Sequence, residues 1–239
     1  RPLAKVNFDK KIVLKDVTYR YPESENTSIN DINLTINIGD SIGIIGTTGA
    51  GKSTLVDLIL GLLLPSRGRV MVDNVQLVKG NIRSWQSFLG YVPQEIILSD
   101  SSIEQNIAFG VPDYKIDKEL VQKCASIANI HKFIMEELPM QYKTSVGEGG
   151  IRLSGGQRQR IGIARALYLQ PKVLVLDEAT SALDKYTEKQ VIHAIEQYKK
   201  NITIIVIAHR HSTLKNCNRV ISMDRGVIIK DGTYGEIIK

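Results

Sequence analysis

Cysteine and long apolar runs are both scarce in this chain, and each scarcity removes a class of protein. Its two cysteines, Cys124 and Cys217, stand apart with no CxxC spacing and no histidine cluster beside them, so neither a disulfide framework nor a zinc site is indicated. Both read as ordinary thiols in a reducing compartment. The most apolar stretches, Leu58 to Leu64 and Ile202 to Ala208, fall far short of the roughly 18 residues that a bilayer-spanning helix requires. The start, Arg1-Pro2-Leu3, has no apolar segment followed by small residues, so no signal peptide and a cytosolic setting are expected. It also lacks an initiating Met, so a fragment of something longer is expected. No repeat or low-complexity segment occurs, and the longest pure Lys/Arg run is Lys199-Lys200. The net charge of +6 therefore reads as a solvated surface with a modest taste for anions, and no nucleic-acid partner is expected.

What is present fits one large α/β domain, or one core carrying a subdomain, in 239 residues of which 43% are hydrophobic and 23% charged. Ile32, Leu34, Ile36 and Ile38 alternate with polar residues, the period of a half-buried strand, before a turn at Gly39-Asp40. Ser41 to Ile45 is short and almost continuously apolar, which suits a strand buried on both faces. A glycine-rich loop follows, then a predicted helix over Lys52 to Leu64, ended by Pro65. From about Gln94 to Leu153 apolar residues recur at helical spacing, for example Leu120, Val121, Cys124, Ile127 and Ala128, which predicts a mostly helical insertion. A helix is predicted over Ser154 to Leu169 with Ser154 as N-cap. Strand and helix then alternate through Val173 to Leu176, Thr187 to Tyr198 and Ile202 to Ala208, and a hairpin turns at Asp224-Arg225-Gly226. Strands separated by helices imply a parallel sheet.

Three motifs carry chemistry. Gly46-Thr47-Thr48-Gly49-Ala50-Gly51-Lys52-Ser53 satisfies the G-x-x-x-x-G-K-[ST] phosphate-loop pattern between a predicted strand and a predicted helix, the setting the pattern needs. Glycines let successive backbone N–H groups face phosphate oxygens, the helix N-terminus adds partial positive charge, and Lys52 reaches the outer phosphates. Ser53 offers its hydroxyl to Mg²⁺. Val173-Leu174-Val175-Leu176-Asp177-Glu178 puts two acids at the C-terminal end of a buried strand, where open α/β sheets bind ligands. Asp177 suits a Mg²⁺ ligand, and Glu178 suits a base that polarises the attacking water. In Leu153-Ser154-Gly155-Gly156-Gln157, a Ser N-cap followed by two glycines leaves helix N–H groups uncovered, a second anion site in one chain.

These three motifs together closely resemble the nucleotide-binding domain of ATP-binding cassette proteins, and the resemblance runs from about Ile12 to Gly232 with the motifs in order. It implies a phosphate-loop NTPase core with a mostly parallel sheet, an N-terminal antiparallel β subdomain and a helical insertion. The expected parts are 1–93 for the first part of the core, 94–160 for the helical subdomain and 161–239 for the rest. It implies that ATP and Mg²⁺ bind at Gly46 to Ser53 with Thr54, and that Ser154, Gly155, Gly156 and Gln157 close on the ATP of a second copy. By the same resemblance Gln94 senses Mg²⁺ and the attacking water, His209 contacts the γ-phosphate, and Tyr21, with Tyr19 as a competitor, stacks on adenine. Ser181-Ala182-Leu183-Asp184 corresponds to the loop that communicates between paired domains.

Ser145 to Gly150 resembles a loop typical of exporters, in which Glu148 contacts the transmembrane partner; Gly149 replaces the usual Arg. The wording from Thr48 to Gly61 is similar to bacterial lipid-linked oligosaccharide flippases. The implied whole is an exporter motor at the cytoplasmic face of a cell membrane, pairing with a second nucleotide-binding domain and driven against a transmembrane domain in the same full-length chain. Soluble cassette ATPases of the chromosome and DNA-repair type need long heptad-patterned arms, which are lacking here. Translation-associated members carry two cassettes, an importer subunit fits the Glu148 loop less well, and a regulatory module without catalysis would not need Glu178, Gln94 and His209.

Overall fold

The computed structural model describes residues 5–198, 202–208 and 210–238. In chain order the first elements are β1 (Lys11–Tyr19), β2 (Ile29–Asn37), β3 (Ser41–Gly46), α1 (Lys52–Leu60), β4 (Arg67–Val72), β5 (Val75–Gln76), α2 (Ile82–Gln86) and β6 (Leu89–Val92). Then follow β7 (Ser101–Ser102), α3 (Ile103–Ile107), α4 (Lys118–Ile127), α5 (His131–Glu137), β8 (Ser145–Val146) and α6 (Gly155–Tyr168). The last are β9 (Val173–Asp177), α7 (Lys185–Tyr198), β10 (Thr203–Ile207), α8 (His211–Leu214), β11 (Arg219–Asp224), β12 (Val227–Gly232) and α9 (Tyr234–Ile237). The chain divides into two compact units, one of residues 1–89 with 201–239 and one of residues 90–200.

The first unit holds two sheets. In the antiparallel one, ordered β2-β1-β4-β5, Ile29, Ile32, Leu34 and Ile36 are buried at every second or third position of β2. The strand stops at Asn37, so Ile38 begins the turn rather than ending the strand. In the other sheet β3 lies between β10 and β11 and runs parallel to both. Ile42 and Ile44 are fully buried there, as a strand covered on both faces demands. β12 returns antiparallel to β11 through Arg225 (φ 45°) and Gly226 (φ 79°), the pair of positive φ angles that a tight hairpin of this twist requires.

Helix α1 is shorter than its sequence predicts. It ends at Leu60 because Gly61 adopts the left-handed conformation (φ 70°) and its N–H turns back to the Asp57 and Leu58 carbonyls. Pro65 therefore sits in the following loop instead of terminating the helix. Below α1, the fully buried Trp85 spends its indole N–H on the Ile59 carbonyl at 2.7 Å.

In the second unit β9 and β6 are sheet neighbours, and Val173 to Leu176 are fully buried. Around them α3, α4, α5 and α6 supply the expected helical character. Val121, Cys124, Ala125 and Ala128 turn inward from α4 and its C-terminus, and Asp117 caps the helix by accepting from Leu120 N–H at 3.0 Å. The β7–β8 pair, Ser101 opposite Val146, was not foreseen, since two-residue strands leave no period to read. Among the described residues no helix is long and apolar enough to cross a membrane.

Candidate active site

The phosphate loop lies in the first unit, between β3 and α1. Gly51 stands at the N-cap of α1 with φ 97° and no side chain caps the helix, so the first-turn N–H groups face outward. A Cβ on Gly51 would meet the Ser28 carbonyl at 2.7 Å, which leaves glycine as the residue that fits. Ala50 N–H closes the loop onto Thr47 O at 3.1 Å. The Lys52 ammonium is folded into the loop, donating to Gly46 O at 2.8 Å and Thr47 O at 3.0 Å. Lys52 is largely buried (9% exposed), whereas Thr47, Thr48, Gly49 and Ser53 are exposed. A buried ammonium held only by loop carbonyls is a cation poised for a better anion.

Two supports of this loop escaped the sequence reading. Gly226, read only as a hairpin residue, donates its N–H to Ala50 O at 3.0 Å and accepts from Asn30 N–H at 2.9 Å, bracing the loop from behind. The hydroxyl of Thr54 pairs with the Tyr21 hydroxyl at 3.3 Å. Tyr19 is packed into the core at 8% exposure while Tyr21, edge-on to it at 5.0 Å, keeps 39% exposure. An exposed ring face is what an adenine needs, which favours Tyr21 over Tyr19.

The second unit carries the acids. Asp177 ends β9 and Glu178 follows in the left-handed region, φ 50°, a conformation that a non-glycine residue holds at a cost of about 1 kcal/mol or more. Gln94 Nε2 donates to Glu178 Oε2 at 3.0 Å, and Tyr91, which the sequence reading passed over, donates its hydroxyl to Asp177 Oδ2 at 3.3 Å. His209 lies outside the described residues. Beyond the acids, Asp184 accepts from the Thr187 hydroxyl at 2.6 Å and from the Thr187 and Tyr186 N–H groups, both at 3.0 Å. The Thr187 bonds, first of all the hydroxyl's, hold the Asp184 carboxyl below its ordinary range.

At the head of α6 the sequence expectation needs one correction. Ser154 Oγ accepts from Gln157 N–H at 3.2 Å and Gln157 Oε1 accepts from Ser154 N–H at 2.7 Å, a complete capping box. The helix end is therefore not uncovered throughout. The N–H groups of Gly155 and Gly156 and the hydroxyl proton of Ser154 stay outside the box, with Gln157 serving as its second half. Within the same unit a cavity of about 600 Å³ is lined by Ile97, Leu98, Glu148, Arg152 and Arg158 among others, and Ile97 is 81% exposed.

The residues expected from the sequence to hold a metal, Ser53 in the first unit and Gln94 and Asp177 in the second, each carry an oxygen donor: a hydroxyl, an amide oxygen and a carboxylate. That chemistry suits Mg²⁺, which prefers hard oxygen ligands and usually stays with phosphate and water. Among the described residues no group of three or more His, Cys, Asp or Glu side chains could hold an ion, which leaves no rival cage for a transition metal there.

A phosphate loop before a helix, acids at a strand end and a second glycine turn define a nucleotide-binding ATPase fold, and known proteins share it. A bacterial Atm1-family ABC exporter with ATP bound superposes with a TM-score of 0.90 at 32% identity, over 99% of this chain and 41% of that one. The alpha-hemolysin translocation ATP-binding protein HlyB of Escherichia coli O157:H7 is 44% identical over 95% of this chain and 32% of its own length. The ATP-dependent lipid A-core flippase of Alkalilimnicola ehrlichii is 40% identical over 100% of this chain and 40% of its own length. The chain thus spans about a third to two fifths of the curated relatives it matches. The family model described as ABC transporter matches residues 29–181, and the chain belongs to that family as its nucleotide-binding ATPase domain.

Proposed function

We propose that this chain binds Mg·ATP and hydrolyses it as one half of a head-to-tail pair, whose opening and closing drives export or lipid flipping by a transmembrane domain of the same polypeptide at the cytoplasmic face of a membrane. The observation that carries the reading is the presence of two anion cradles in one chain, the Gly46–Ser53 loop and the Gly155–Gly156 turn. One nucleotide needs only one.

In this reading Lys52 leaves its loop carbonyls for the outer phosphates of ATP, and Gly49 to Thr54 supply N–H groups to them. Tyr21 stacks on the base. Ser53, Gln94 and Asp177 hold Mg²⁺, which when bound would offset phosphate charge. Glu178, oriented by Gln94, accepts a proton from the attacking water, and the γ-phosphate contact is assigned to His209 by the family resemblance alone. Ser154, Gly155 and Gly156, fixed by Gln157, close on the partner copy's nucleotide. The Glu148 cavity with Ile97 on its rim faces the transmembrane part. Relatives named for a toxin and for lipid A core match at 44% and 40% identity, so cargo is chosen outside this domain. The resemblance to oligosaccharide flippases therefore extends to the motor and not to a substrate.

Two variants test the division of labour. Lys52→Ala is expected to abolish ATP binding, whereas Glu178→Gln retains binding, loses turnover and scatters light as a dimer in saturating ATP. Equal loss of binding in both, or a Glu178→Gln chain that stays monomeric with ATP bound, contradicts it.

A further inference from the structure

Gln159 lies one turn and a half into α6, is 5% exposed, and spends both ends of its amide on a single loop. Its Nε2 donates to Ser181 Oγ at 3.1 Å and its Oε1 accepts from Ala182 N–H at 2.9 Å. The same loop presses on the glycine turn at the head of α6. A Cβ on Gly156 would stand 3.1 Å from the Ala182 carbonyl oxygen, and one on Gly155 would stand 3.4 Å from Ala182 Cβ. Glycine there lets the loop and the turn touch backbone to backbone.

On its other side the loop is tied to Glu178. Ser181 N–H donates to the Glu178 carbonyl at 3.0 Å and Leu183 N–H to the Thr180 carbonyl at 3.0 Å. The Thr180 hydroxyl bonds the buried carboxylate of Glu188 on α7 at 2.6 Å. An unbroken run of packed backbone and satisfied polar groups therefore leads from Gly155–Gly156 through residues 181–183 to the main chain of Glu178, whose left-handed φ already depends on its surroundings. Gln159 is the side chain that bolts this run to the helix, and an amide buried with both ends satisfied is costly to disturb.

We propose that Gln159 is a positioning residue for Glu178, locking the 181–183 loop to the Gly155–Gly156 turn so that seating of an anion at the turn is transmitted to the carboxylate that polarises water. The inference rests on the reading of Glu178 as the base and of the turn as a contact to a partner's nucleotide.

The test uses the 239-residue chain and steady-state phosphate release, with thermal melting alongside. Gln159→Met keeps the volume and removes both hydrogen bonds; it is expected to lower kcat about tenfold while KM for ATP moves less than about twofold, the pattern of a group that acts after binding. Ser181→Ala, made from the exposed side, lowers kcat less, and adding it to Gln159→Met brings no further loss, because the two share one contact. Gln159→Glu keeps an acceptor for Ala182 N–H and regains part of the rate. Gln159→Met at the wild-type kcat, or losses that simply multiply in the double variant, overturns the proposal. Should Gln159→Met fail to fold, a folded Ser181→Ala with unchanged kcat overturns it equally. Failure of Glu178→Gln to pair in ATP, with Gln159→Met still slow, sinks the paired reading and leaves the positioning role standing; pairing with a fully active Gln159→Met does the reverse.

Discussion

The side-chain amide of Gln94 donates to the carboxylate of Glu178 across 3.0 Å, joining a residue just past β6 to one just past β9. Those two strands are neighbours in the sheet, so the contact follows from strand pairing although the residues are 84 apart in sequence. That donor fixes one carboxylate oxygen of Glu178.

Removing that donor should slow chemistry and spare binding. Gln94→Ala is expected to lower kcat by about a hundredfold, within the range of a mispositioned general base, with little change in nucleotide affinity. Single-turnover hydrolysis beside equilibrium nucleotide binding checks it; equal losses in both would assign Gln94 to binding alone.

The capping box at Ser154 separates stability from anion recognition. Ser154→Ala gives up the bond from Gln157 N–H and should cost about 1 kcal/mol. Ser154→Asp keeps a capping acceptor but places a negative charge at the proposed phosphate contact. It should melt like the wild type and yet fail to pair in ATP, read by thermal melting and light scattering in a Glu178→Gln background.

Cysteine chemistry reports on the core of the second unit. Burial pushes the Cys124 thiol up from 9.0 to about 11. The folded chain thus keeps a proton that the unfolded chain releases between those values, so the contribution is complete below pH 9 and lost as pH rises through 11. Cys124 should resist alkylation at pH 8 in the native chain and react on unfolding, followed by mass spectrometry.

Much of this was legible in the sequence, for a physical reason. The phosphate loop, the acids at the end of β9 and the Ser154 turn each need their residues close together along the chain, so spacing alone reveals them. The supports were hidden because they depend on the fold. Gly226 behind Ala50, Tyr91 on Asp177 and Gln159 on the 181–183 loop are contacts between distant segments, and a lone Gly, Tyr or Gln signals nothing. The box formed by Gln157 was within reach, since Ser and Gln three residues apart are its local signature. The end of α1 was also within reach: Gly61 precedes Pro65 and outranks it as a stop. The Pro22 after Tyr21 already favoured it over Tyr19, and burial agrees: Tyr19 is 8% exposed and Tyr21 39%.

The central claim is that the working unit is a pair, and turnover as a function of chain concentration at saturating ATP tests it most directly. Specific activity should climb as dilute chains pair and level off once pairing is complete, tracking the dimer seen by light scattering. Constant specific activity down to concentrations where only monomers scatter would contradict the account and make each chain a self-sufficient ATPase.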